Sequence, residues 1–388
     1  MLNVILNKNE EIEKINGFPW IFNNEINGFE GNIVNGEVVR VLTYEKKFLC
    51  YGFLNTNSKI MVRILTLDEN EKIDKEFFKN RIKYALEHRQ NINFNNSNCY
   101  RLIFSEADFL PGLVVDKYAD YLVIQISSLG MDKIKKDIID ILVELTNCKG
   151  IYERSDIPSR IKEGLEEFKG FVYNEFDPKI LVEENGIKFI VDVENGQKTG
   201  YFLDQKLNRD NIKYYCKNKT VLDCFSNVGG FALNALKNGA KEVDALDISK
   251  LACDNISYNA KLNDFNNINV ICDDTFLYLR NCNKKYDVIV LDPPAFTKSK
   301  DSVKKAYKGY KEINLSALKL INKGGYLLTF SCSQHMTPDL FMQMISEAAM
   351  DAKRKVQFLD FRIQAPDHPA LLQSEEQLYL KCIILRVL

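Results

Sequence analysis

Apolar and polar positions alternate with a period of two through the first 67 residues. NVILN, GEVVRVLT, KFLCYGFLN and KIMVRILT read as short half-buried strands separated by Asn-Gly and Gly. This predicts a small β-barrel or sandwich over 1–67. At Asp68 the period changes. DENEKIDKEFFKNRIKYALEH places Ile73, Phe77, Ile82 and Leu86 on one face of a helix among many charges. Strand-like runs follow near RLIFSEAD, GLVVDKYAD and YLVIQIS, then a helix at MDKIKKDIIDILVELTN and a strand at GIYERSD. They predict an α+β middle domain over 68–175. From 176 onward LVEENGIKFIVDV predicts a hairpin turning on Glu-Asn-Gly. Beyond it strands alternate with helices to residue 388, the pattern of a mostly parallel, doubly wound α/β sheet over 176–388.

A chain of 388 residues exceeds what one core organises, in keeping with three domains. Its 46% hydrophobic and 27% charged residues describe an ordinary globular protein. The formal net charge of −1 makes no general case for a polyanionic partner, so any such case rests on local patches. No apolar run of signal or membrane-spanning length occurs, which predicts a cytoplasmic protein that does not engage a membrane. The ten cysteines stand at 50, 99, 148, 216, 224, 253, 272, 282, 332 and 382, with no Cys-x-x-Cys. The three histidines, His88, His335 and His368, are not at ligand spacing, so no metal site is expected. In a cytosolic chain most of these thiols serve as small buried hydrophobes, with room for a reactive one.

The chemistry concentrates in the last domain. DCFSNVGGFALNAL (223–236) ends a strand, turns on glycines and opens a helix; Asp247 follows the next strand in VDALDIS; DVIVLDPPAF (287–296) ends a third strand in Asp-Pro-Pro. Strand, glycine turn, helix, strand and acid is how a nucleotide-like cofactor is held at the carboxyl edge of a parallel sheet. The turn lacks the full G-x-G-x-x-G, and Asp-Pro-Pro moves the reading from dinucleotides to S-adenosylmethionine. Asp223 suits the ammonium group of the cofactor tail, and Gly229 and Gly230 let backbone approach it without a Cβ. Asp247 can accept from the ribose hydroxyls, and Asp273 or Asp274, with preference for Asp274, from the adenine amino group. Phe225, Ser226, Asn227, Ile248 and Pro293 complete the expected lining. GQKTGYFLDQKLNR (196–209) precedes the first sheet strand and suggests a lid, with Phe202, Asp204 and Gln205 at the cofactor and Gln205 on its tail. Taken singly, each carboxylate could instead be a strand-end or helix-cap residue.

Asp292, Pro293 and Pro294 form a rigid turn that could floor a flat base, with Asp292 on its edge. Ala295 separates the prolines from Phe296, whereas amino-group methyltransferases usually place an aromatic directly after them. YLLTF (326–330) leads into Ser331-Cys332-Ser333, a loop expected beside Asp-Pro-Pro. A thiol there could add to C6 of a pyrimidine and make C5 nucleophilic. TKSKDSVKKAYKGYKEI (297–313) carries Lys298, Lys300, Lys304, Lys305, Lys308 and Lys311 with Tyr307 and Tyr310. Lys298, Lys300, Lys304 and Lys305, with Arg209, are the expected RNA-phosphate contacts, a solvated helix face being the alternative.

Together GFPWIFNNEI, NSKIMVRILT, LPGLVVDKYADYLVIQIS, ERSDIPSRIKEGL, GQKTGYFLDQ, DCFSNVGGF, LDPPAF, FSCS and DHPALL…QLYLK resemble the RlmI-like family of large-subunit ribosomal RNA methyltransferases, which form 5-methylcytosine. The resemblance covers nearly the whole chain. It implies an N-terminal PUA RNA-binding domain, a family-specific middle domain and a Rossmann-like class I methyltransferase domain. It also implies S-adenosylmethionine as cofactor, large-subunit ribosomal RNA as partner, and Cys332 as nucleophile with Asp292 beside it. A homo-oligomer is compatible with it. The wider RNA cytosine-5 methyltransferases often carry a second cysteine after Asp-Pro-Pro where this chain has Ala295, a feature the RlmI-like group shares. Two alternatives stay open: an RNA purine methyltransferase, acting at N7 of guanine or N6 of adenine, and a non-catalytic RNA-binding assembly factor.

Overall fold

The computed structural model describes residues 1–92, 94, 96–297 and 299–388, and of Lys300 the backbone alone. Strands β1 (Asn3–Leu6), β2 (Trp20–Phe22), β3 (Ile26–Glu30), β4 (Val38–Leu42), β5 (Phe48–Leu54) and β6 (Ile60–Thr66) form one sheet in the order β2-β6-β5-β4-β1-β3. The period-two apolar positions point inward as expected, and Val4, Leu6, Ile21, Val41, Leu54 and Val62 are fully buried together.

The helix Lys75–Asn91 starts on Asp74, whose carboxylate accepts the amides of Glu76 and Phe77 at 3.1 and 3.2 Å. It packs on a second sheet made of β7 (Cys99–Phe104), β8 (Leu113–Tyr118), β9 (Tyr121–Ile126), β10 (Gly150–Ser155) and β11 (Phe168–Tyr173), in the order β11-β10-β9-β8-β7. Two of the expected domains form one compact unit, comprising Met1–Val182, Val191–Leu203 and Pro366–Gln377. The reason is a shared core. Phe53 and Leu65 of the first sheet cluster with Phe77, Phe78, Ile103 and Leu122. A polar seam reinforces it: the Arg63 guanidinium meets Glu106 at 2.8 Å and Glu163 at 2.9 Å, and Trp20 Nε1 donates to Glu106 at 2.9 Å.

β12 (Lys179–Glu184) and β13 (Ile187–Asp192) form a two-stranded sheet. It turns on Asn185 and Gly186, both at positive φ (54° and 70°), as an Asn-Gly hairpin requires.

The second unit comprises Glu183–Ile190, Asp204–Ala365 and Leu378–Leu388. Its strands are β14 (Thr220–Cys224), β15 (Glu242–Asp247), β16 (Ile268–Cys272), β17 (Tyr286–Leu291), β18 (Ile321–Ser331), β19 (Val356–Arg362) and β20 (Lys381–Val387). The sheet order is β16-β15-β14-β17-β18-β20-β19; the first five run parallel, and β20 is antiparallel to both its neighbours. Helices Gly230–Lys237, Lys250–Leu262, Thr275–Asn281, Val303–Leu320 and Pro338–Asp351 supply the connections. Successive strand residues feed two different cores. Val221, Val288 and Val290 join one cluster, and Leu222, Ile289 and Leu291 join the other. Burial on both faces is what makes these strands read as continuous apolar runs and is the signature of a doubly wound sheet.

Two segments expected in the last domain belong to the first unit. In 366–377, the Asp367 carboxylate accepts the Arg101 amide at 3.0 Å and its carbonyl accepts the Arg89 guanidinium at 2.9 Å. In 191–203, Thr199 Oγ donates to Asp116 at 2.5 Å.

Candidate active site

The carboxyl edge of the second unit's sheet collects the chemistry. Asp223 is the penultimate residue of β14, Asp247 ends β15, Asp273 follows β16, Asp292 follows β17 and Cys332 follows β18. The parallel register sets Cys224 opposite Leu246 and Leu291, Asp247 opposite Cys272, and Leu291 opposite Thr329. The five residues therefore gather at the carboxyl ends of adjacent strands, Asp223 lying deepest and Cys332 furthest along, around the switch point where strand order reverses between β14 and β17.

The turn after β14 holds Phe225, Asn227 and Gly229 at φ of 60°, 54° and 90°. Left-handed backbone at two non-glycine residues costs on the order of 1–3 kcal/mol each and persists only where neighbours enforce it. Here the Ser226 amide donates to the Leu246 carbonyl at 3.0 Å, and the Asn227 amide to Asp247 Oδ2 at 2.9 Å. Asp223 is 1% exposed. Its Oδ2 accepts Ser226 Oγ at 2.5 Å and the Ala232 amide at 3.0 Å, while its buried Oδ1 has no partner among the described residues. Burial pushes this carboxyl up to about 7, against the downward pull of those two bonds and of Arg209. A buried, unpartnered carboxylate oxygen is costly and is what a ligand ammonium would satisfy.

Asp247 is half-buried. Its Oδ1 accepts the Ser249 amide at 2.9 Å, and each oxygen keeps a second lone pair for a hydroxyl. Beside it Ile248 is 68% exposed, an apolar side chain at the cleft edge. Asp274 caps the helix Thr275–Asn281 through the Leu277 amide at 2.9 Å, and Asp273 accepts the Asp274 amide at 2.7 Å.

Asp292 Oδ1 accepts Gln205 Nε2 at 2.9 Å. Burial pushes the Asp292 carboxyl up to about 7, opposed first by Arg209 and reinforced by Asp204 and Asp223. Cys332 Sγ lies 4.0 Å from the Pro293 carbonyl and is half-buried. The expectation that the loop after β18 comes out beside Asp-Pro-Pro thus describes the structure. Beneath that loop the Tyr310 hydroxyl meets Ser333 Oγ at 3.0 Å and Ser331 Oγ at 3.2 Å. Lys381 Nζ donates to the Ser333 carbonyl at 2.7 Å and to the Tyr379 carbonyl at 2.8 Å. Among the described residues no group of His, Cys, Asp and Glu could hold a metal ion, and no helix is long and apolar enough to cross a membrane.

Residues 4–67 match the model of the PUA-like domain family, and residues 170–386 match that of the S-adenosylmethionine-dependent methyltransferases. A protein of Aeromonas salmonicida named ribosomal RNA large subunit methyltransferase I is 43% identical over 390 residues, covering 99% of this chain and 98% of that protein. An Escherichia coli protein of the same name is 40% identical, with all of both chains covered. The chain belongs to the RlmI family. S-adenosylmethionine is its cofactor. Two solved structures cover all of this chain: a methyltransferase complexed with SAH (23% identical, TM-score 0.85) and a SAM-dependent methyltransferase from Streptococcus mutans (22%, TM-score 0.83). They share the fold.

Within this RlmI-family site several expected roles change. Arg209 is not an RNA contact: it is 4% exposed and its guanidinium pairs with buried Glu184 at 2.7 Å. It is an internal counter-cation for the strand-end carboxylates. Gly230 is explained by that arginine and not by close approach of a ligand, since a Cβ there would lie 2.6 Å from Arg209 Nε. Gln205 is spent on Asp292 and, through Oε1, on Asn208 Nδ2 at 2.8 Å, so it orients Asp292. Asp204 accepts the Tyr379 hydroxyl at 2.6 Å and is buried. The expected lid is a packed connector, with Thr199, Tyr201, Leu203 and Lys206 all buried. Phe202 belongs to the first unit, where the Lys198 ammonium lies 4.5 Å from its ring centroid. Phe225 packs against the apolar core. Asp274 is half-buried and caps a helix through one oxygen, and Asp273 is exposed and accepts the Asp274 amide through one of its own.

Lys304, Lys305 and Lys308 are exposed on the helix Val303–Leu320, whereas Lys311 is held by Glu347 and Asp351 at 3.1 and 3.0 Å. Lys298 and the side chain of Lys300 lie outside the described residues. Tyr310, named among the lysines of the charged run, is buried beneath the loop after β18, and Lys381 beside that loop was not singled out from the sequence. A lysine opening the apolar run KCIILRVL was the one available signal for Lys381.

Proposed function

We propose that this chain methylates C5 of a cytosine in large-subunit ribosomal RNA through a covalent Cys332–C6 intermediate. The observation that carries the reading is Cys332 standing 4.0 Å from the Pro293 carbonyl, next to Asp292. The relatives' name supplies the RNA class, and the residues fit the cofactor. Asp223 Oδ1 lacks a partner where the tail ammonium would sit, Asp247 has lone pairs for the ribose, and Ile248 offers an apolar face. Bound S-adenosylmethionine supplies an electrophilic methyl group.

The target base would leave its stack to reach this pocket, against the rigid Asp-Pro-Pro turn. Asp292, held by Gln205 on one oxygen and pushed by burial up to about 7, has its protonated form available near neutrality and can then donate to the base's Watson–Crick edge. That withdraws electrons from the ring as the Cys332 thiolate forms a bond to C6, and C5 becomes the nucleophile. After methylation the C5 proton passes to water, the electrons of that bond restore C5=C6, the C6–S bond breaks to return the thiolate, and the base's edge gives its extra proton back to Asp292. Phe296, which could have served as an aromatic platform, is engaged with Tyr310 at 4.5 Å between ring centroids. The exposed Lys304 and Lys305 and the six-stranded PUA-like sheet are the proposed RNA contacts, and the cytoplasm, where ribosomal RNA resides, is the proposed site of action.

The test is RNA carrying 5-fluorocytosine at the target. Fluorine cannot leave as a proton does, so a protein–RNA adduct accumulates. Cys332→Ser abolishes the adduct and turnover but retains S-adenosylmethionine binding. A Cys332→Ser protein that still methylates cytosine at a substantial fraction of the wild-type rate overturns the nucleophile. A methylated purine in digested RNA, or no cofactor binding at all, overturns the reaction itself.

A further inference from the structure

β18 and β20 are antiparallel neighbours, and their register sets Lys381 opposite Ser331, the residue before Cys332. The lysine opens β20 at the edge of the sheet where the chemistry lies, yet it is 2% exposed. Its two hydrogen bonds, to the Ser333 and Tyr379 carbonyls, clip the chain leaving β18 to the chain entering β20. These carbonyls occupy two N–H donors and offer no counter-charge to the nitrogen once it is protonated. No carboxylate pairs with Lys381 among the described residues. A buried cation in that condition is expensive unless an anion forms beside it.

We propose that Lys381 is the counter-cation of Cys332, a positioning residue that takes the thiol proton and holds the sulfur as a thiolate facing the base pocket. This rests on the reading of Cys332 as nucleophile. The step balances without a further reactant when the lysine starts as the amine, whose two N–H bonds serve the carbonyls: the S–H bond breaks, its electron pair stays on sulfur and the proton moves to the lone pair of the lysine nitrogen, giving the ammonium. When sulfur bonds to C6, the negative charge passes into the base, toward Asp292. When the C6–S bond breaks, the thiolate returns opposite the same cation.

The surroundings agree. Burial pushes Lys381 down to about 8, and the charge of Cys332 is what opposes that fall. From the helix Val303–Leu320, Tyr310 faces the loop, and burial raises its hydroxyl, so it stays neutral and donates. From the loop after β17 comes Asp292, tied to Gln205. From β19, Arg362 is committed to Asn208 at 3.0 Å and Asp360 at 3.3 Å. Cys382, next to the lysine, is buried and its thiol is raised, so it does not compete as an anion. His335 lies in the stretch between β18 and the helix Pro338–Asp351.

The test is the pH dependence of Cys332 alkylation by iodoacetamide. It is followed by peptide mass spectrometry on the full chain without RNA, with the exposed Cys272 as internal reference. In the wild type the Cys332 midpoint should lie about a unit or more below the ordinary thiol value of roughly 8.5. Lys381→Met should raise it by at least about a unit, slowing alkylation at neutral pH about tenfold, while Cys272 is unchanged. Lys381→Arg should bring the midpoint back toward wild type. S-adenosylmethionine binding reports folding. If the methionine variant fails that check, Lys381→Gln, which keeps a donor for a carbonyl, takes its place. A Cys332 midpoint that is the same with and without the lysine overturns the proposal. That failure is distinct from failure of the nucleophile reading, because alkylation requires neither RNA nor methyl transfer.

Discussion

Asp223→Asn isolates the cofactor's ammonium contact. Two donors, Ser226 Oγ and the Ala232 amide, fix Asp223 Oδ2 at 2.5 and 3.0 Å. An asparagine keeps both bonds only by placing its carbonyl oxygen there, which turns its NH2 toward the position of the unpartnered Oδ1. The substitution therefore preserves the turn and replaces an anionic acceptor by a donor. Losing a charge-assisted bond costs about 1.5–3 kcal/mol, or about 10- to 150-fold in Kd. The pH dependence has a definite sign. In the ligand-free protein the Asp223 carboxyl titrates at about 7, above its unfolded value. Its contribution to stability is thus present at low pH and is lost as pH rises through about 7. An ammonium ligand needs the anion, so binding releases a proton below that point. Affinity should fall as pH falls, by up to about tenfold per unit. Calorimetry from about pH 5.5 to about pH 7.5 should show this slope in the wild type and a flatter one in Asp223→Asn, the remainder belonging to Asp292. A variant Kd within about threefold of wild type across that range, in a folded protein, would refute the assignment of Asp223 to the ligand.

Two further outcomes follow from the corrected roles of the basic residues. Arg209→Leu leaves Glu184, which has no exposed side-chain surface, without its 2.7 Å partner and should cost about 3–5 kcal/mol in urea unfolding, and restoration of stability by Arg209→Lys would tie the loss to charge. Reversing exposed Lys304 and Lys305 to Glu should flatten the log–log salt dependence of ribosomal RNA binding by about one unit for each phosphate no longer neutralised, with S-adenosylmethionine affinity unchanged, and an unaltered slope removes the helix Val303–Leu320 from the RNA face.

The site's chain order was legible because β14, β15 and β17 are apolar runs, buried on both faces, that end at or next to an acid. Strand pattern, the glycine turn and Asp-Pro-Pro together therefore placed Asp223, Asp247, Asp292, the Asp273-Asp274 pair and the loop of Cys332 along one edge. The Asn185-Gly186 hairpin was legible because its chemistry is local. The exchange of 191–203 and 366–377 into the first unit was not. It depends on bonds such as Arg101 to Asp367, 266 residues apart, which no local pattern encodes.

The largest misreadings share one cause. KLNRDN looks like a solvated helix start, and the fate of Arg209 was decided by Glu184, 25 residues upstream, and by the missing Cβ of Gly230. Lys381 looks like a strand-edge lysine, and its burial was decided by antiparallel pairing with β18. In both cases a cation that local rules send to solvent is drawn inside, Arg209 onto buried Glu184 and Lys381 onto the Ser333 and Tyr379 carbonyls. Asp223 and Asp292 are raised by that burial, and Arg209 restrains both. Such placements are expensive one at a time and tolerable together, because each charge lowers the cost of the next. Departures from local expectation therefore concentrate where the fold holds charges for use. In the mechanism we propose, Arg209 would restrain the carboxylates that meet cofactor and base, and Lys381 would set the proton on the attacking sulfur.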